Sequence, residues 1–129
     1  MFQPLAGIRV IDLTQVLAGP YAAYQLGLMG ADVVKIETPG AGDWSRTNGT
    51  VPELNAEGMG LAYLTQNANK KSVTLNLKSE KGLAVMKRLI EGADVFIGLS
   101  AANVVSPDML QRMRANPIVF ALANPEPEI

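Results

Sequence analysis

Neither cysteine nor histidine occurs anywhere in this 129-residue sequence. Without cysteine there is no disulfide framework and no thiolate metal site. Without histidine the usual general base, the commonest metal ligand and the Ser-His-Asp triad all fall away. Long apolar runs are missing too, since no stretch approaches the ~20 residues that a membrane span needs. The opening Met1-Phe2-Gln3-Pro4 has neither the basic nor the apolar region of a signal peptide, so a soluble, cytoplasmic protein is expected. An excess of either charge is also lacking. Eleven Lys and Arg stand against 12 Asp and Glu, a net charge of −1, which offers no electrostatic footprint for nucleic acid or an anionic membrane.

What is present is globular material. Hydrophobic residues make up 48% and charged residues 18% of the chain, enough for one domain with its own core. The organising stretch runs from Leu5 to Glu37. Ile8, Val10, Ile11 and Leu13 form a β-rich run, which Gly19-Pro20 punctuates. A short apolar helix is expected over 21–29, with Gly19 as N-cap, Pro20 at the first helical position and Gly30 closing it. Ala22, Leu26 and Met29 share its expected sheet-facing stripe. Val33, Val34 and Ile36 form a second apolar run. Two such runs joined by a helix make a βαβ unit with parallel strands and a right-handed crossover. Ligands of such units sit beyond the carboxyl ends of the strands, which points to Thr14–Pro20 and Thr38–Asp43 as the rim.

Residues 38–58 read as a long loop, a length that in a compact domain is usually functional or mobile. Within it Trp44 and Arg46 suit an adenine ring or a phosphate, or Trp44 packs over a core edge. A short helix over 59–69 is expected to turn Leu61 and Leu64 inward. A strand follows over 72–77, flanked by Lys70, Lys71 and Lys78, which read as a solvated rim or a phosphate clamp. Ser79 caps a helix from Glu80 to Glu91 with Leu83, Met86 and Ile90 as its stripe, Gly92 stops it, and 93–99 is a buried strand. Ser106-Pro107-Asp108 starts another helix that turns Met109, Leu110 and Met113 inward and ends at Asn116-Pro117. Arg112 and Arg114 suit its C-terminal dipole, and 118–123 is a last strand. The pattern is α/β: a Rossmann-like, open, mostly parallel sheet with flanking helices, incomplete at the C-terminus because it stops after a strand.

The chemistry is less complete than the fold. The first turn reads LAGP and not G-x-G-x-x-G, so the glycines that admit a pyrophosphate are missing, although Glu37 stands where a dinucleotide fold keeps its ribose-binding acid. Asp12, Asp32, Glu37 and Asp43 are the candidate acid, base or nucleophilic groups, with Asp12 and Asp32 more in keeping with structural roles. They show no paired-carboxylate spacing and no metal cluster. The residues yield a ligand rim and no catalytic set.

The run LAGIRVIDLTQVLAGPYAAYQLGLMGADVVKIETPGAGDWSR resembles the N-terminus of class III CoA-transferases, the family of formyl-CoA and carnitine-CoA transferases. The resemblance continues through YLTQNANKKSVTLNLKSEKG to GADVFI, residues 4–97. It implies transfer of CoA between an acyl-CoA and a carboxylic acid, through anhydride and aspartyl-thioester intermediates. By position it implies CoA contacts at Gln15, Val16, Leu17 and Ala18, at Thr38, and at Leu75, Asn76, Leu77 and Lys78, with no metal. The resemblance places the family's nucleophilic aspartate beyond residue 129, so no catalytic residue is assigned and turnover by this chain alone is not expected. The interlocking C-terminal part of the family's homodimer is likewise not matched. A 2-methylacyl-CoA racemase shares the fold, but QVLAGP with IETPGAGDWSR leans toward the transferase branch.

The tail carries a second resemblance. GADVFIGLSAANVVSPDMLQRM and NPIVFALANPEPEI are similar to the NAD-binding segment of bacterial malic enzymes, with Asn124 near substrate and nicotinamide. The chain therefore reads as 1–97 of transferase type joined at 92–97 to a strand-helix-strand tail, 98–129, packed in the same domain. A binding or scaffold module without a small-molecule task, and an NAD-binding fragment of malic-enzyme type, are the alternative functions.

Overall fold

Alternation along the first two apolar runs sets the architecture. β1 (Arg9–Leu13) and β2 (Asp32–Glu37) are buried along almost their whole length, as central parallel strands should be. The computed structural model describes residues 2–99, 105–123 and 126. Between the two strands runs α1 (Ala18–Leu28). A 3₁₀ turn (Trp44–Thr47), α2 (Pro52–Ala56) and α3 (Leu61–Asn67) lead to β3 (Lys71–Thr74). Then come α4 (Glu80–Glu91), β4 (Val95–Gly98), α5 (Pro107–Gln111) and β5 (Ile118–Ala121). The five strands form one sheet in the order β3-β2-β1-β4-β5. Every pairing is parallel, and β1 lies between β2 and β4 with Asp12 opposite Lys35 on one side and Ile97 on the other. This is the α/β sheet with flanking helices that the sequence leads one to expect.

The sheet has two unlike faces. Ile11, Leu13, Val34, Ile36 and Phe96 pack with Met86 and Ile90 of α4 and with Met113. Met86 and Ile90 are fully buried, each contributing ~1.5–3 kcal/mol of burial. Ser79 caps α4, its hydroxyl accepting from the Gly82 amide, and Ser106 caps α5 in the same way through the Met109 amide. On the other face Val10, Val33, Val95 and Ile97 meet Ala23 of α1. There Ile118 and Phe120 of β5 stay about half exposed and, with Leu5, Ile8 and Leu26, line an apolar hollow of about 450 Å³.

Several local expectations change. α1 begins at Ala18, with Leu17 as an N-cap that makes no side-chain bond, and it buries Gly19, Pro20, Ala23 and Gly27. Ala22 and Met29 face solvent. The helix is oriented by closeness and not by bulk: a Cβ on Gly19 would lie 2.5 Å from Thr14 Cβ and 2.8 Å from Leu99 Cδ1. Within 38–58 two short helical turns replace a plain loop, and Trp44 is 59% exposed instead of covering a core edge. Leu61 is exposed, β3 ends at Thr74, and α5 ends at Gln111. Arg112, the C-cap of α5, also pairs with Asp108 and Glu91, and Arg114, beyond the helix, pairs with Asp94. Asn124 lies outside the described residues.

Candidate functional site

Parity explains the polar centre of the molecule. Val10 and Asp12 of β1 share one face of the sheet with Val33, Lys35 and Glu37 of β2, because side chains two apart point the same way. The early positions are apolar and pack under α1. The later ones, at the carboxyl ends, are charged yet buried: Asp12 and Lys35 are 0% exposed and Glu37 5%. Asp43, 1% exposed, joins them from the segment after β2.

Each buried charge has a partner. Lys35 Nζ lies 2.8 Å from Asp43 Oδ2 and donates to the Thr14 carbonyl, also at 2.8 Å. Lys70 Nζ donates to Asp12 Oδ2, the Pro20 carbonyl and Asn67 Oδ1, each at 2.8 Å, so all three of its protons are used. Asp12 also accepts from the Thr14 hydroxyl and, at 3.1 Å, from its amide. Glu37 takes both arms of the Arg46 guanidinium at 2.7 Å, the Ser72 hydroxyl at 2.6 Å and the Asp43 amide at 2.9 Å. Arg46 further stacks over the Tyr63 ring, 3.8 Å from its centre. Arg46 is thus committed within the protein and not held for a ligand phosphate, and Lys70 and Lys71 pair with Asp12 and Asp32 instead of forming a clamp.

These partners set the protonation states. Burial would push the Glu37 carboxyl up, but the donors from Arg46, Ser72 and Asp43 outweigh it and hold its pKa at about 2. Asp43 is also held below its usual value, burial being overcome by Lys35 and Ser45. Burial, with the Glu37 charge beside it, raises the Tyr63 phenol to about 12. A depressed carboxyl contributes stability that is complete above its unfolded pKa and is lost as pH falls through the folded one. Urea unfolding from pH 7 to 2 should therefore show stability falling once pH drops below about 4.5, by up to about 1.4 kcal/mol per pH unit for each proton taken up. Glu37→Gln should flatten that decline; an unchanged slope would refute the assignment.

Above this network, at the carboxyl ends of β1, β2 and β3, a cavity of about 380 Å³ opens. Leu13, Ile36, Leu75 and Leu77 give it apolar walls, and Thr14, Glu37, Pro39, Gly42 and Asp43 close its floor and side. Of the nine residues that resemblance marked for CoA, Gln15, Thr38, Leu75, Asn76, Leu77 and Lys78 line this one cavity. Val16, Leu17 and Ala18 do not; the chain turns away into α1, and all three are exposed. Of the four candidate acids, Glu37 and Asp43 reach the cavity with their oxygens already engaged, Asp12 lies beneath it, and Asp32 opens β2 at the far end. Gly42 falls within the rim expected at Thr38–Asp43, where the sequence alone assigned it no role. Its φ of +66° and a hypothetical Cβ only 2.9 Å from Glu37 Oε2 show why glycine stands there. Among the described residues no group of three or more Asp and Glu could hold a metal ion, and no helix is long and apolar enough to cross a membrane.

Comparison with known proteins gives this geometry a context. The family model of CoA-transferase family III matches residues 5–118. The human succinyl-CoA:glutarate CoA-transferase is 47% identical over 95 residues, 74% of this chain and 21% of that protein. The formyl-CoA:oxalate CoA-transferase of Escherichia coli is 42% identical over 98 residues, 75% of this chain and 23% of the relative. Among solved structures, a CAIB/BAIF family protein from Brucella suis superposes with a TM-score of 0.77 at 30% identity, over 92% of this chain and 33% of that one. The chain thus spans about a fifth of the length of the curated relatives it matches. The family match runs past 92–97 to residue 118, through α5, and so removes the ground for a splice to a malic-enzyme segment at that junction.

Proposed function

Since the chain belongs to CoA-transferase family III, we propose that it supplies a CoA-contacting part of an enzyme that moves CoA between an acyl-CoA and a carboxylic acid. The observation that carries this reading is the convergence of Gln15, Thr38 and Leu75–Lys78 on one cavity at the strand ends. Its leucine and isoleucine walls suit the flat adenine of CoA. Lys78 stands one residue before the Ser79 cap of α4, where a cation and a helix N-terminus together favour a phosphate.

The same geometry argues that this chain binds without transferring. Attack on an acyl-CoA needs a carboxylate with a free oxygen facing the thioester. Of the two buried carboxylates at the cavity, Glu37 is hydrogen-bonded through both oxygens to Arg46, Ser72 and the Asp43 amide, while Asp43 accepts from Ser45 through Oδ1 and its Oδ2 is held in the ion pair with Lys35. The nucleophile and the carboxylic-acid site then belong to another part of the full enzyme, which we place in the cytoplasm as an interlocked homodimer.

Calorimetric titration of CoA, with Trp44, next in sequence to the cavity-lining Asp43, as a fluorescence reporter, tests this proposal. Saturable binding is expected, weakened about five- to tenfold by Lys78→Ala, or roughly 1–1.4 kcal/mol. No heat and no fluorescence change up to millimolar CoA would instead favour a scaffold without a small-molecule ligand. Thioester exchange by the isolated chain would overturn the assignment of the nucleophile elsewhere.

A further inference from the structure

We propose that Asp43 is a positioning residue for the cavity rim, latching the turn after β1 to the segment after β2; its relevance to CoA rests on the function proposed above. The evidence begins with Val16, whose φ is +70°. A β-branched residue in the left-handed region is a true outlier, and such backbone conformations persist only where surrounding contacts impose them.

Here the contacts come from both sides. The Val16 amide donates to Asp43 Oδ1 at 3.2 Å. With its amide nitrogen turned toward the turn, Gln66 of α3 donates to the Val16 and Leu17 carbonyls at 2.9 and 3.1 Å. One residue earlier, the Thr14 carbonyl accepts from Lys35, the ion-pair partner of Asp43. Gln15 is therefore bracketed: the carbonyl before it and the amide after it are both tied to the Lys35–Asp43 pair. Asp43 in turn is fixed to its own segment, its amide donating to Glu37 and its Oδ1 accepting from the Ser45 amide and hydroxyl. Gln15 and Thr38, on the two segments so joined, line the same cavity. Asp43 sets the distance between those two walls through the backbone.

Two double variants separate positioning from plain structural support. Lys35→Met with Asp43→Asn removes both buried charges but keeps an oxygen for the Val16 amide. Lys35→Met with Asp43→Ala removes the charges and the oxygen together. Hydrogen exchange of the Val16 amide should stay near wild type in the first and rise about tenfold or more in the second, with the Ile36 amide of β2 unchanged in both. CoA affinity should follow the same split, falling about tenfold only in the alanine variant. Equal exchange and affinity in the two would overturn the proposal. The wild-type protein offers a check that needs no variant: a Val16 amide exchanging as fast as that of an exposed loop glycine such as Gly40 would also overturn it. If wild type fails to bind CoA, the proposed function fails, and the exchange data alone decide whether the latch exists.

Discussion

Replacing Lys35 alone by methionine is expected to lower the unfolding free energy by about 3–5 kcal/mol, a large share of the ~5–15 kcal/mol typical of a domain. The methionine chain approximates the length of the lysine stem, so the loss is electrostatic and not a cavity. Both side chains of the Lys35–Asp43 pair are 0% exposed. With the ammonium gone, Asp43 keeps its donors from Ser45 and Val16, but its charge stays buried without a counterion and burial drives its carboxyl upward. The Thr14 carbonyl loses its donor at the same time. An exposed pair provides the contrast. Lys71 and Asp32 sit 2.6 Å apart, with side chains 70% and 35% exposed, and Lys71→Met should cost less than ~1 kcal/mol. Urea denaturation of both variants at pH 7 makes the comparison. Adding Asp43→Asn to Lys35→Met should restore much of the loss, because the orphaned charge goes with it. A Lys35→Met protein within ~1 kcal/mol of wild type would mean that the pair is hydrated or readily rearranged.

The contrast between those two lysines also marks where sequence reasoning runs out. The strands, two of the helix starts and the parallel sheet were legible because they follow local signals: apolar runs, Ser79 before α4, Ser106-Pro107 before α5. The rim followed from a general rule about parallel strands. Lys35, Lys70 and Arg46 gave no such signal, since burial of a charge depends on a partner distant in sequence. Lys70 finds Asp12 fifty-eight residues away, and no window of local sequence contains that pair. α1 was misread for a related reason. Its larger apolar residues suggested a sheet-facing stripe, but Gly19, Pro20, Ala23 and Gly27 are the buried residues, Leu26 is only partly buried against the core, and Ala22 and Met29 are turned outward. Of the six cavity residues, Gln15 and Thr38 fall within that rim, whereas Leu75, Asn76, Leu77 and Lys78 were marked for CoA by resemblance alone. Val16, Leu17 and Ala18, marked by the same resemblance, lie outside the cavity because the chain takes a left-handed turn at Val16 and enters α1.

Close approach also governs the second large effect, at Gly82. Alanine for glycine inside a helix normally stabilises by up to ~1 kcal/mol, because alanine has less freedom to lose on folding. Gly27 of α1 is such a site: a Cβ there would meet Val33 Cγ2 at 3.5 Å, an ordinary contact. Gly27→Ala should be neutral or stabilising. At Gly82, in the first turn of α4, the same Cβ would lie 2.0 Å from the Asn76 carbonyl oxygen and 2.7 Å from its carbon. That carbonyl is held by the Ser79 amide at 3.0 Å and the Ser79 hydroxyl at 2.8 Å. It cannot yield without moving Asn76–Lys78, the wall of the cavity. Gly82→Ala is therefore expected to destabilise the chain by about 1–3 kcal/mol, the cost of overpacking, despite the gain in helix propensity. It should also weaken CoA binding beyond what the stability loss alone accounts for, because the wall shifts in the molecules that remain folded. Thermal unfolding and CoA titration of the two alanine variants side by side decide the matter. If Gly82→Ala stabilises as Gly27→Ala does, the segment carrying Asn76 and Lys78 is free to move, and it cannot serve as a fixed wall for the ligand.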